Sequence, residues 1–309
     1  MRPASLAAEP PPADGSDRTS ELLPSPCVGI CRLDAETGWC LGCARTAEEL
    51  TLWSDLPDTA QLAVWRDLPR RKALLGLSFR LLPWQGAGLL DWLAEASSRP
   101  GAAWSIGAYG AVAELMAAHG GALAAERAGG SLVLRTAGGA LALAPPPGVR
   151  AFELTGRSGR IERVVLALHR VRLRDGFAAG VAELGPDEAA IDSRCQHARL
   201  FDLGLGLRPM RFCVRTAEPR LAAVLRAAVG ADALAPTTGL VPHLLAASPD
   251  RVVTSPVGRI EVGGPIQRTA PSGPHTHLLP ALLAQGRLLE PGFALPEGYL
   301  PCATLVPGS

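Results

Sequence analysis

Four cysteines fall within seventeen residues, in the spacing Cys27-x3-Cys31-x8-Cys40-x2-Cys43. Two close pairs on a chain that turns back can surround one centre with four soft sulfur ligands, which is the donor set of a tetrahedral tetrathiolate. Zn²⁺ suits that set and so does an iron-sulfur cluster, and the spacing leaves the two open. The competing uses are a group of buried reduced thiols and a pair of disulfides; four thiols this close make poor core filling, and a reducing compartment disfavours disulfides. Four protein thiolates leave no open coordination position, so a structural or electron-carrying role is expected ahead of metal hydrolysis.

A second candidate is Ser272-Gly-Pro-His275-Thr-His277-Leu-Leu-Pro280. Imidazoles at i and i+2 can share a metal from one side of an extended segment, with a third ligand from His243, His197 or Cys195. The plainer use is favoured: Thr276 or His277 caps a short helix over Leu278 to Leu283, and the other histidine bonds to backbone. Cys195 and His197 lie two apart, but a nucleophilic thiol needs a base within hydrogen-bond reach, which spacing does not supply. Gly204-Leu-Gly206 is followed by Arg208-Pro209 where a dinucleotide-binding helix would open, and no Gly-x4-Gly-Lys loop occurs. Cys213 and Cys302 are expected as core residues. Glu153, Glu183, Asp187 and Glu188 are expected to be solvated.

The elements that must position these residues fall into two styles. Thr46-Ala-Glu-Glu49 is a capping box that opens a short helix carrying Leu50 and Trp53. Asp58 and Gln61 repeat the pattern for a helix from Asp58 to about Leu68, which Pro69 should end. A third helix spans about Gly88 to Ala96. Beyond Arg99-Pro100-Gly101 short strand-like runs take over: Ser131 to Leu134 and Ala140 to Leu143 form a hairpin across Thr136-Ala-Gly-Gly139. Further strands are predicted at 151–155, 161–168, 210–215, 251–254, 259–262 and 303–306, and helices at 111–118, 219–228 and 243–247. Strands and helices do not alternate regularly, so the fold class is α+β: a small N-terminal four-cysteine knuckle with short helices, then a larger domain of mostly antiparallel strands with several helices. The expected division is a tail over 1–23, a metal-binding domain over 24–72, a helical connector over 73–100 and an α+β domain over 101–309.

Composition narrows the function classes. The 309 residues are 48% hydrophobic and 19% charged, enough for a real core. Thirty basic against 29 acidic residues create no field that would draw the chain onto a polyanion. The basic residues are all arginine except Lys72, a bias typical of GC-rich bacterial genomes. Residues 24–72 carry six basic against seven acidic side chains, so a nucleic-acid-binding knuckle is not expected. Arg70-Arg71-Lys72 precedes an apolar run, but Pro83 and Gly86 break it early and packing is expected instead of membrane association. No export signal and no run of eighteen apolar residues is visible, which makes the cytoplasm the expected compartment.

Ser25-Pro-Cys27-Val-Gly-Ile-Cys31-Arg-Leu-Asp34, Gly38-Trp-Cys40-Leu-Gly-Cys43-Ala-Arg-Thr46, Glu49 and Trp53-Ser54 resemble a small bacterial family, the domain of unknown function numbered twelve eighty-nine. The resemblance runs from about Pro24 to Arg71 and includes all four cysteines. It implies a unit of about sixty residues, often labelled an iron-sulfur protein because of its cysteines, without catalytic residues to transfer. Trp104 to Gly110, Leu203 to Leu207 and Pro274 to Pro280 resemble an uncharacterised alphaproteobacterial domain, which supports 101–307 as one unit. The first reading is a metal-binding protein whose N-terminal module serves structure, docking or electron transfer and whose larger domain binds a protein or small-molecule partner. The second is an enzyme with its site around His275 and His277.

Overall fold

The computed structural model describes residues 33–40, 43–76, 78–108, 111–155, 161–169, 180–205, 209–266, 273–278 and 299–308. Cys27, Cys31, the tail over 1–23 and the helix expected over 278–283, apart from Leu278, lie outside them.

The small unit begins with a turn at Asp34. Its carboxylate accepts from the Thr37 amide at 2.9 Å and the Thr37 hydroxyl at 2.8 Å, and Gly38 takes a left-handed φ of 67°. Leu33 then pairs with Cys40, and Trp39 with Thr46, as isolated antiparallel bridges. The capping box forms as read: the Glu49 amide donates to Thr46 Oγ1, and the Thr46 amide donates to the Glu49 carboxylate, opening α1 (Ala47–Thr51).

The second capping box does not form, and Pro57 stands at the N-cap of α2 (Asp58–Leu74) with no side-chain bond. Gln61 turns inward instead and, fully buried, donates to the Trp53 carbonyl of the one-turn helix Trp53–Asp55 at 2.7 Å. Nor does Pro69 end the helix. One lost amide donor is tolerated because the turns beyond it are tied down: Arg71 bridges Glu49 of α1 and Asp67 of its own helix, and Leu75 packs onto Ala44, Trp53, Val64 and Leu68.

The larger unit is two antiparallel sheets laid face to face. The first has the order β1-β7-β8-β15-β2-β3-β14, and the second β4-β5-β6-β13-β12-β11-β10-β9. In chain order the strands are β1 (Ser78–Leu81), β2 (Ala103–Ala108), β3 (Ala111–Met116), β4 (Ala124–Ala128), β5 (Ser131–Thr136), β6 (Gly139–Leu143), β7 (Arg150–Thr155) and β8 (Ile161–His169). They continue with β9 (Ala182–Pro186), β10 (Arg199–Asp202), β11 (Arg211–Thr216), β12 (Asp250–Ser255), β13 (Gly258–Val262), β14 (His275–Leu278) and β15 (Tyr299–Val306). Alternation along the strands sends Leu132, Leu134, Leu141, Leu143, Ile260 and Val262 from one sheet, and Trp104, Ile106, Leu115, Val164 and Leu166 from the other, into one core. α3 (Gly86–Ser97) lies across β4 and β5, with Leu89, Leu90 and Leu93 in that core; α4 (Pro219–Ala227) packs on α5 (Leu240–Ala247). The architecture is α+β, with short helices and mostly antiparallel sheets.

The segment 73–100, expected as a helical connector, carries more than helix. β1 pairs with β7, and α3 shares the core of the sheets. The helix expected at 111–118 is strand β3, hairpinned onto β2 with Trp104 opposite Leu115. Its run Ala-Val-Ala-Glu-Leu-Met is too short for periodicity to separate the two states, and pairing on both sides decides for the strand. The start of the helix expected after His277 is likewise strand, because His275 to Leu278 form β14 on the sheet edge.

Candidate metal centre

Cys40 and the segment Cys43–Arg45 are tied together backbone to backbone. The Ala44 amide donates to the Cys40 carbonyl and the Cys40 amide to the Arg45 carbonyl, each at 2.7 Å. Closing this turn requires Ala44 at φ 61°, a left-handed conformation that costs an alanine roughly 1–2 kcal/mol. What it achieves is to hold Cys40 and Cys43 together, both reduced and both fully buried. Their sulfurs are within hydrogen-bonding reach, and this contact, together with burial and the Cys40 charge, pushes the Cys43 thiol well above its ordinary range despite the opposing influence of Arg45. Cys43 therefore keeps its proton until a metal cation displaces it.

The surroundings are cationic. Arg45 is only 2% exposed, and its Nε donates to Cys43 Sγ at 3.4 Å. Its guanidinium lies 4.8 Å from the centre of the Trp53 ring, and its Nη1 is buried with no hydrogen-bond partner among the described residues. Lys72 of α2 is close enough to Cys43 to feel its charge; burial brings the ammonium down to about 8, and the sulfur opposes that shift. Buried soft donors facing a buried cation with an unmatched N–H fit a thiolate-bound metal, whose ligands carry negative charge. Cys40 and Cys43 would supply two of its four ligands, and Cys27 and Cys31 lie outside the described residues. Among the described residues no three His, Cys, Asp or Glu side chains are grouped to hold an ion.

The histidine candidate is arranged otherwise. His275 is buried in β14, with Nδ1 2.8 Å from the Gly273 carbonyl and Nε2 3.2 Å from a Glu114 carboxylate oxygen on β3. The Glu114 hydrogen bond raises its pKa above the ordinary value against the lowering effect of burial, and the Gly273 bond and Glu114 charge add to the rise. Thr304, Ser105, Glu114 and His275 sit directly opposite one another across β15, β2, β3 and β14, one buried polar rung. His277 lies opposite Val112, while His243 is exposed on α5. Cys195 is half-buried in a one-turn helix, Ser193–Cys195, beside an exposed His197. Cys213 and Cys302 are buried as expected, and burial pushes Cys302 up to about 12.

One feature escaped the sequence. Of the acidic residues expected in solvent, Asp187 and Glu153 are buried, Glu183 is paired to Arg199 and Arg226, and Glu188 alone is exposed. Asp187 accepts from Arg259 at 2.7 and 3.0 Å and from Arg215 at 3.0 Å, while Arg215 also reaches Glu261 at 2.7 Å and Asp250 at 2.9 Å. The Ile191 amide donates to Glu261, so the network pins the segment after β9 onto the 8-stranded sheet. Charged residues an even number apart, Arg211 and Arg215 on β11 and Arg259 and Glu261 on β13, were its signal: they stripe the face opposite the core.

The molecule is thus an α+β protein that joins a cysteine-bearing unit to a two-sheet unit. It belongs to the Family of unknown function (DUF6925), whose family model matches residues 88–309. Residues 25–72 match a second model, Protein of unknown function (DUF1289), the family that the cysteine segment resembles. No curated protein and no solved structure matches the chain. No helix among the described residues is long and apolar enough to cross a membrane.

Proposed function

We propose that the N-terminal unit binds one metal centre through Cys27, Cys31, Cys40 and Cys43, and that it serves the larger unit as a structural, docking or electron-carrying module in the cytoplasm. The observation that carries this reading is the meeting of Cys40 and Cys43, reduced and fully buried, with the buried guanidinium of Arg45. The donor set suits a zinc ion and an iron-sulfur cluster alike; zinc would supply a rigid crosslink, a cluster one-electron transfer. Trp39 and Trp53 pack on the turn and restrict water there. The larger unit is assigned binding of a protein or small-molecule partner.

The test is metal content with a visible absorption spectrum, on anaerobically purified protein and on the Cys40→Ser, Cys43→Ser double variant. Iron with sulfide and a band near roughly 400 nm, where charge transfer from thiolate to iron is expected, identifies a cluster. One colourless zinc per chain identifies a structural site. Neither metal in the wild-type protein refutes the reading.

A second reading, an enzyme centred on His275, is favoured by the Thr304-Ser105-Glu114-His275 rung, which couples a carboxylate to an imidazole as acid-base chemistry requires. Against a panel of ester and amide substrates, activity abolished by His275→Gln supports it, and no turnover by the wild type removes it.

A further inference from the structure

A buried guanidinium without an ionised partner is costly, so a protein that keeps one supplies an anion for it. Arg45 has three described contacts to account for its charge. The Trp53 ring offers only its π face. Glu49 is near enough for Arg45 to help hold its carboxyl down, yet both Glu49 oxygens accept from Arg71, at 2.6 and 2.9 Å, and one also accepts from the Thr46 amide. What remains is Cys43 Sγ, at 3.4 Å from Nε. A neutral thiol is a weak acceptor and carries no charge to match the guanidinium; a metal-bound thiolate is a good acceptor and does. A Zn²⁺ ion with four thiolates has a net charge of about −2, and oxidised iron-sulfur centres held by four thiolates are similarly anionic.

We propose that Arg45 is a positioning residue for the metal centre: its Nε–H···Sγ bond fixes the Cys43 thiolate, and its charge offsets the negative charge of the four-thiolate site. This rests on the metal-binding reading above. The side chain is locked for that task by the Trp53 ring beneath it and by the turn that places Arg45 two residues after Cys43.

The experiment compares full-length wild type, Arg45→Gln, which keeps an N–H donor without charge, and Arg45→Lys, which keeps the charge. Each is loaded to saturation and titrated with a competing chelator. All three should hold the same metal per chain at saturation. Arg45→Gln should bind it about 10- to 100-fold more weakly, the usual effect of removing a group that supports a ligand, and Arg45→Lys should stay within roughly threefold of wild type. Wild-type affinity in Arg45→Gln, or a Lys variant as weak as the Gln variant, overturns the charge role while leaving the metal site standing. Should Arg45→Gln fail to retain a folded small unit, Arg45→Lys decides alone: affinity within threefold supports the role, and loss as complete as in Cys40→Ser overturns it. A wild-type protein that binds no metal overturns this proposal and the reading beneath it together.

Discussion

The two units reach a folded state by unequal means. The larger one closes two sheets over a continuous apolar core that runs from Leu82 to Leu305, with Trp104 and Phe201 fully enclosed. Among the described residues the smaller one gathers Ala44, Trp53, Val64, Leu68 and Leu75 into a small buried cluster, with Trp39, Leu56 and Trp65 half in solvent. So small a core cannot by itself offset the ordering of the chain around it, and units of that size use crosslinks, metals or dense polar ties. The small unit accordingly shows a capping box, an inward Gln61, an Arg71 latch and two adjacent buried thiols. The lesson of the contrast is that the residues holding the small unit together are polar and sulfur-bearing, so its stability should answer to metal and pH where that of the larger unit answers to packing.

The comparison can be broken most forcefully by removing the metal. The Cys40→Ser, Cys43→Ser variant, or a strong chelator, should unfold the small unit, since structural zinc in comparable small domains supplies roughly 10–16 kcal/mol of apparent folding free energy. The unfolding transition of the larger unit should stay in place. Trp104→Ala probes the opposite half: its ring is fully buried and its Nε1 donates to Ser97 at 2.9 Å. It should cost the larger unit about 3–5 kcal/mol in denaturant unfolding and leave metal binding unchanged.

Arg71→Met should weaken the small unit by about 1–2 kcal/mol, the range for partly buried charged hydrogen bonds after solvent screening. Burial alone would raise the Glu49 carboxyl, but the hydrogen bonds from Arg71 and the Thr46 amide, with the charges of Arg71 and Arg45, hold it below its ordinary value. The stabilisation from this pair is therefore complete above the unfolded value of about 4.3 and is lost as pH falls through the lower folded value. Acid titration of metal-loaded protein should show Arg71→Met losing less than wild type over that window. The smallest effect belongs to His275→Gln, about 1 kcal/mol, because the amide keeps an N–H donor for the buried Glu114 carboxylate and loses only the charge. Because the folded pKa of His275 is raised, its contribution is complete below about 6.5 and is lost as pH rises through the folded value. Hydrogen exchange in β14 should quicken over that alkaline step in wild type and be independent of it in the variant.

Much of this architecture is legible in the residues. The hairpin over 131–143 shows because two alternating apolar runs flank a glycine turn, and α1 shows because Thr46 and Glu49 stand three apart. β3 and β14 do not, because a strand of four to six residues is specified by its neighbours: Glu114 is understood only once His275 lies across from it. The same limit hid the Arg215 network, whose members come from four separate segments. At the candidate metal centre the cysteines announce themselves by spacing, whereas the role of Arg45 emerges only from its burial beside Cys43.

The most direct measurement is hydrogen exchange by mass spectrometry on the full chain, metal-loaded and after chelation. Chelation should abolish protection of the amides from 43 to 75 while those in β5, β6, β8 and β15 exchange as before. Unchanged protection of α1 and α2 after complete metal removal, or a protein that never held metal, would contradict the view that sulfur and metal do for the small unit what the core does for the large one.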